Sequence, residues 1–143
     1  MAQAFAHFKQ MAEAAGLEVG QRTHWFNTDL AHEATEWAAE QGDVDAFRRA
    51  IFRAYFVDGR NIGDPPVLAE LAADVGFDPA DLRAALSERR YRERVQEQYA
   101  EARDVGVTAV PTFVAGGYAI EGSQPYEVFR RLMAAVGQPP RAQ

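Results

Sequence analysis

One short stretch of the sequence carries side chains at a spacing that suits metal binding. In His32-Glu33-Ala34-Thr35-Glu36, a histidine and a glutamate stand four residues apart, which places them on one face of a helix. Zinc-peptidase helices use a similar spacing, completed by further ligands. No third ligand is evident, and Asp29 and His24 are the nearest candidates. We interpret the stretch as a solvated helix face and expect no metal.

Nucleophilic side chains are scarce. The sequence contains no cysteine, which excludes disulfides, thiolate metal ligands and any cysteine nucleophile or redox pair. Ser123 has no histidine near it in the sequence, and it stands just before a predicted helix, where serine acts as an N-cap. These residues predict no catalytic nucleophile in this chain, and no cofactor is expected.

An arginine-rich segment, Arg89-Arg90-Tyr91-Arg92-Glu93-Arg94, has the composition of a nucleic-acid patch with an aromatic residue inside it. Acidic residues nevertheless balance the arginines over residues 88–104, and the whole chain has a net charge of −6. We expect ion pairs along the helix, Glu88 with Arg92 and Arg89 with Glu93, because these residues are four apart. The charge excludes nucleic acid and anionic membranes as expected partners.

Length and composition are those of an ordinary globular protein. The chain has 143 residues, of which 48% are apolar and 25% charged, enough to bury a sizeable core. No apolar run approaches the roughly 20 residues that span a bilayer. The N-terminal segment lacks the basic start and apolar stretch of a signal peptide. With Met1 as the natural start, the sequence predicts a cytoplasmic protein.

Helical periodicity dominates the first hundred residues. Asp-Pro pairs and aspartates before apolar runs indicate where helices begin. The aromatic row Phe47, Phe52, Tyr55 and Phe56 is interpreted as a buried helix face rather than the lining of a ligand pocket. The predicted helices are 2–15, one after Asn27-Thr28-Asp29 to Gln41, one from Asp43 to Phe56, one opening at Asp64-Pro65-Pro66, a short one opening at Asp78-Pro79, and one capped by Ser87 that runs to about Asp104.

The last forty residues have a different character. A β-branched, apolar run from Val107 to Val114 is followed by Gly116-Gly117 and then by Tyr118-Ala-Ile120, which is typical of a β-hairpin. An amphipathic helix follows Gly122-Ser123. Because two strands are marginal on their own in water, the predicted sheet looks incomplete.

This closing segment is similar to the second half of a thioredoxin fold, and in particular it resembles the DsbA-type family of thiol–disulfide oxidoreductases. Val110-Pro111-Thr112-Phe113 matches the cis-proline loop of that family, and Gly122-Ser-Gln-Pro125 matches the turn before its last helix. The helical stretch from Asn27 to Asp104 looks like the family's all-α insertion. The resemblance covers about residues 3–136 and extends to the related hydroxychromene-carboxylate isomerases and kappa-class glutathione transferases. It implies an α+β, mostly helical fold, in which a DsbA-like helical domain accompanies the C-terminal ββα half of a thioredoxin fold.

The sequence departs from the family in the segment that carries the redox cysteines. Family members begin with a βαβ unit that carries a Cys-x-x-Cys at a helix N-terminus, where partial positive charge lowers the pKa of the attacking thiol. That unit is absent here, so no residue inherits the redox role. The expected organisation is an N-terminal helix and extended segment (1–26), a helical domain (27–104), a ββα unit (105–136) and a flexible tail (137–143).

The resemblance implies a cis Val110–Pro111 bond and a substrate-binding loop made of Val110, Pro111 and Thr112. The first hypothesis is a redox-inactive module that binds a thiol or a peptide, or acts in assembly, through this loop. Two alternatives stay open: a fragment of a full-length cytoplasmic DsbA-like oxidoreductase, and a glutathione-binding relative of the isomerases and transferases. Because the hairpin would leave an unpaired strand edge and an apolar face, we also expect a homodimer that pairs these edges.

Overall fold

The computed structural model describes residues 2–20 and 25–138, with residues 2–5 described as backbone only. His24 and residues 139–143 of the predicted tail therefore lie outside the described residues. Contacts divide the chain into two compact units, residues 1–97 and residues 98–143. The predicted mostly helical α+β fold is confirmed. Its elements are α1 (Ala2–Ala14), α2 (Asp29–Gln41), α3 (Val44–Phe56), α4 (Pro65–Asp74), α5 (Pro79–Ser87), α6 (Arg92–Asp104), β1 (Thr112–Ala115), β2 (Tyr118–Glu121) and α7 (Tyr126–Ala135).

Local signals decide where several helices begin. The Asp43 carboxylate accepts hydrogen bonds from the backbone N–H groups of Asp45 and Ala46, both at 3.1 Å, and so caps α3. The Asp78 carboxylate caps α5 in the same way. Helices α4 and α5 carry proline in their first turn, where the missing N–H would have no intrahelical partner.

Two predicted N-caps are wrong. Ser87 does not open a helix but ends α5, and α6 begins at Arg92. Between them Arg89 has a φ of 54°, a left-handed conformation that interrupts a right-handed helix. Ser123 does not cap α7, whose N-cap is Pro125. The fixed φ of a proline suits the residues that lead into a helix.

The core of the first unit is built from one face each of α2, α3, α4 and α5. Trp37 lies edge-on to Phe47 and Phe77, with ring centroids 6.4 and 5.7 Å apart. Phe52, which we expected in the same core, is 61% exposed. Buried residues of α3 recur at Phe47, Ile51, Ala54 and Tyr55, and Phe52 lies beside that stripe rather than on it.

Ion pairs fix α2 to the segment around the start of α6. The Nε atom of Arg89 lies 3.0 and 3.1 Å from the two carboxylate oxygens of Glu33, which is buried. One turn further along α2, Glu36 pairs with Arg94 at 2.6 Å. Both predicted pairs are therefore wrong. The Arg89 guanidinium reaches Glu33 on α2 instead of Glu93, and Glu88 pairs with Arg90 at 2.6 Å instead of Arg92.

A tyrosine extends this polar contact. The Tyr91 hydroxyl donates a 2.7 Å hydrogen bond to the Glu40 carboxylate. Burial, followed by that hydrogen bond, raises the pKa of Tyr91 to about 12. Tyr91 therefore keeps its proton throughout the neutral range and remains a donor to α2.

The Glu33–Arg89 pair gives an asymmetric stability prediction, because Glu33 is 2% exposed in its side chain and Arg89 is 41% exposed. Removing Arg89 leaves a buried carboxylate without its partner, whereas removing Glu33 leaves a cation that water can reach. We expect Arg89→Met to lower the free energy of unfolding by about 1–3 kcal/mol and Glu33→Met to lower it by less. Urea denaturation of the full chain measures both. Equal losses would contradict this asymmetry, and Arg92→Met, at an exposed position in the first turn of α6, is the control.

In the second unit, β1 and β2 form an antiparallel hairpin in which Phe113 faces Ile120 and Ala115 faces Tyr118. Gly116 and Gly117 make the turn with φ values of 55° and 83°; the tightest hairpin turns require two such positive angles, which glycine adopts without strain. Helix α7 covers one face of the hairpin, where Phe129 lies edge-on to Phe113 at 4.8 Å.

Among the described residues, one edge and one face of the hairpin are left open. Within the part of the chain that the structure describes, the sheet has two strands, so β1 pairs with β2 and no further strand. On the face opposite Phe113, Val114 is 59% exposed. Among the described helices, none has the length and apolar composition needed to cross a bilayer.

Candidate functional site

The loop that carries the predicted binding residues starts at the end of α6. Gly106 takes a φ of 82°, the Gly106 N–H donates to the Arg103 carbonyl at 2.9 Å, and the Val107 N–H donates to the Ala102 carbonyl at 2.9 Å. This is a glycine-terminated Schellman motif, which satisfies the last carbonyls of a helix and turns the chain sharply. It fixes the direction in which residues 107–110 leave α6.

Residues 108–110 carry backbone N–H groups that make no backbone hydrogen bond to a described residue. In the described part of the chain, the N–H groups of Thr108, Ala109 and Val110 donate to no backbone carbonyl. Val110 is 90% exposed, and the peptide bond that joins it to Pro111 is cis. The chain bends at residues 109–110, and its free backbone N–H groups can still donate to the carbonyls of an extended chain laid beside them.

Hydrogen bonds on the far side of Pro111 brace this loop. The Thr112 hydroxyl donates to the Ala109 carbonyl at 2.6 Å, and the Gly122 N–H donates to the Pro111 carbonyl at 2.7 Å. Thr112, one of the three predicted binding residues, therefore uses its hydroxyl within the loop. The arrangement leaves Val110 as the residue that projects most.

A cavity of about 310 Å³ lies beside the loop. It is open to solvent, and it is lined by Tyr99, Ala102 and Arg103 from the last turns of α6 and by Val107 to Val110. Apolar side chains and the tyrosine ring form most of its surface, and Arg103 is the cation among the lining residues. Sequence reasoning singled out Val110 and Pro111 but missed Tyr99 and Arg103. The signal that could have found them is Gly106, because a glycine that ends a helix folds the next residues back over its last turn.

The prediction of a solvated helix face at residues 32–36 is wrong, because Glu33 and Ala34 are buried in the first unit. Glu33 and Glu36 of His32-Glu33-Ala34-Thr35-Glu36 pair with arginines, and no group of three or more metal-ligating side chains occurs among the described residues. His24, one candidate for a third ligand, lies outside those residues. The carboxylates at this place act as anchors for α6.

Comparison with known proteins places these features in a family. The family described as a DSBA-like thioredoxin domain matches residues 1–134. The protein YwbO of Bacillus subtilis (strain 168), described as uncharacterized, is 35% identical over 131 residues, which are 87% of this chain and 64% of YwbO.

Solved structures agree with the family match. A probable DsbA oxidoreductase, SCO1869 from Streptomyces coelicolor, has a TM-score of 0.81 and 33% identity over 99% of this chain and 64% of its own. A 2-hydroxychromene-2-carboxylate isomerase has a TM-score of 0.78 over 95% of this chain and 65% of its own, but at 19% identity it shares the fold alone. The chain thus spans slightly under two thirds of the length of these relatives.

Proposed function

Because the chain belongs to the DSBA-like thioredoxin domain family, we propose that it is a redox-inactive member that binds an extended peptide, or a thiol compound, at the loop Val110-Pro111-Thr112. The observation that carries the proposal is the exposure of this loop. Val110 is 90% exposed, and the N–H groups of residues 108–110 make no backbone hydrogen bond within the described residues. An extended ligand would supply the missing acceptors.

The chemistry of such a site is recognition without bond exchange. Backbone hydrogen bonds hold an extended chain regardless of its sequence, and neighbouring pockets select its side chains. Thiol–disulfide exchange would need an attacking thiolate, and the sequence has no cysteine to supply one. A thiol ligand would therefore be bound as an intact thiol, with its sulfur directed at the backbone of Val110.

Binding can be tested with reduced insulin B chain whose cysteines have been S-methylated, because this extended peptide carries no free thiol. We expect saturable binding by fluorescence anisotropy and a Kd raised about tenfold by Val110→Asp, since a charge would replace an apolar contact. Val105→Asp is the matched control, because Val105 is 72% exposed in the same unit and does not line the cavity. Equal weakening by both variants, or no binding, would contradict the proposal.

We further propose that two copies pair their β1 strands. Support comes from the open edge of β1 and from Val114, which is 59% exposed on the uncovered face. Unpaired strand edges recruit other strands, and two strands rarely make a stable sheet alone. A two-fold axis at β1 would give a four-stranded sheet with each α7 covering its own hairpin.

A second candidate function is favoured by the lengths of the relatives. The chain spans 64% of YwbO and 64% of SCO1869. In this alternative the chain is the loop-bearing part of a DsbA-like oxidoreductase whose thiols lie on a polypeptide segment outside it. An in-frame Cys-x-x-Cys in the DNA within roughly 60 codons upstream of Met1, which is room enough for a βαβ unit, would support it.

We extend the proposal to a cytoplasmic location. Disulfides form and persist in oxidising compartments, and a chain without cysteine gains no stability from them. Cell fractionation with an antibody against the chain tests this part of the proposal.

A further inference from the structure

We propose that the cavity beside the loop is a subsite for a carboxylate on a short apolar stem, carried by the peptide that binds along residues 108–110. This inference rests on the proposed function and deepens it, since it names the side chain that the neighbouring pocket selects. The loop and the last turns of α6 together line the cavity. A peptide bound along the loop would therefore place one of its side chains beside the cavity.

The residues that line the cavity match both the apolar stem and the carboxylate of such a ligand. Ala102, Val107 and Ala109, with the ring of Tyr99, offer an apolar wall to the stem. Arg103 offers the charge, and a guanidinium matches a carboxylate with two parallel N–H donors. A cavity of about 310 Å³ lies at the lower end of the sizes that small-molecule sites take, which suits one amino-acid side chain.

Arg103 is available for this role. Arg103 forms no ion pair or side-chain hydrogen bond with any other residue that the structure describes. In contrast, Arg94 on the same helix pairs with glutamates of α2, and Arg89 and Arg90 just before the helix also form ion pairs. Because it lies in the last turn of α6, Arg103 also complements the helix dipole. If Arg103 only complemented the dipole, replacing it would not change which ligands the cavity prefers.

An acidic residue, Glu121, is hydrogen-bonded to the lining of the cavity. The Thr108 hydroxyl donates to the Glu121 carboxylate at 3.2 Å, so this hydroxyl is occupied and Arg103 remains the donor for an incoming anion. Glu121 is exposed on β2, and it does not line the cavity. Arg103 is therefore the charged group that the lining offers to an anion.

The test compares blocked peptides that differ in one group. One pair contains an internal glutamate or glutamine in an otherwise apolar, extended sequence, and a second pair ends in phenylalanine as a free acid or as an amide. 3-Phenylpropionate alone tests whether a free small acid suffices. We expect at least one acidic peptide to bind about five- to tenfold more tightly than its neutral partner, and which pair responds identifies the source of the carboxylate.

Arg103→Gln should abolish this preference while the neutral peptides keep their affinity, and Arg103→Lys should retain part of it. Arg92→Gln, on an exposed position of the same helix, should change nothing. If acidic and neutral peptides bind equally well to the native chain, the subsite is wrong and the proposed function stands. If no peptide binds, the proposed function itself fails. Preference unchanged by Arg103→Gln would also overturn the assignment.

Discussion

The isolated chain should reduce no disulfides. In an insulin-reduction assay with dithiothreitol, the rate with the chain present should equal the rate of the reagent alone. Thiol–disulfide exchange begins with attack by a thiolate on sulfur, and the chain has no cysteine to form one. The expected effect is total, because no other side chain replaces a thiolate in this reaction.

The loop offers a control for this experiment. A rate reproducibly above that of the reagent, and lost in a Pro111→Ala variant, would show that the chain contributes to the reaction through its loop. That result would contradict a redox-inactive module. An excess rate that survives the substitution would point to a contaminating reductase, which mass spectrometry of the sample can identify.

We expect the chain to be a homodimer in solution. Light scattering at micromolar concentration should give a mass near twice 15.8 kDa. We expect an interface that buries well over ~1,000 Å², because an open strand edge and an apolar face would be covered together.

A substitution on β1 sharpens this test. Val114→Lys places a charge on the open edge strand, a device by which natural sheets resist pairing. We expect it to weaken the dimer about tenfold, since the two introduced lysines would lie on paired strands, on the same part of the sheet, and repel each other. Ala134→Lys, an exposed position on α7, is the control. A stable monomer of the native chain would require the dimer to be dropped.

Features fixed by neighbouring residues could be predicted from the sequence. The capping aspartates, the prolines that open α4 and α5, and the hairpin turn at Gly116-Gly117 depend on contacts within a few residues. The helical spacing also predicts the buried stripe of α3, although the prediction is wrong for Phe52, which lies beside the stripe. Spacing alone does not say which residue lies at the margin of a stripe, because packing against α2 and α4 decides it.

Features that depend on distant residues could not be predicted. Arg89 and Glu33 are 56 positions apart. Helical spacing therefore predicted the nearby partner Glu93 and gave no indication of the buried partner Glu33. The start of α6 depends on the same contact, because the left-handed residue that separates α5 from α6 is Arg89 itself. The cavity was missed for a related reason, since its walls meet when the loop folds back at Gly106.

The most direct test of the account is an NMR titration of the isotope-labelled chain with S-methylated insulin B chain, following the backbone amides. A redox-inactive binding module predicts shift changes centred on the amides of Thr108, Ala109, Val110 and Thr112, with the peptide recovered unaltered. The result that would contradict it is saturable binding that leaves those amides unmoved and perturbs residues elsewhere, or no perturbation at millimolar peptide.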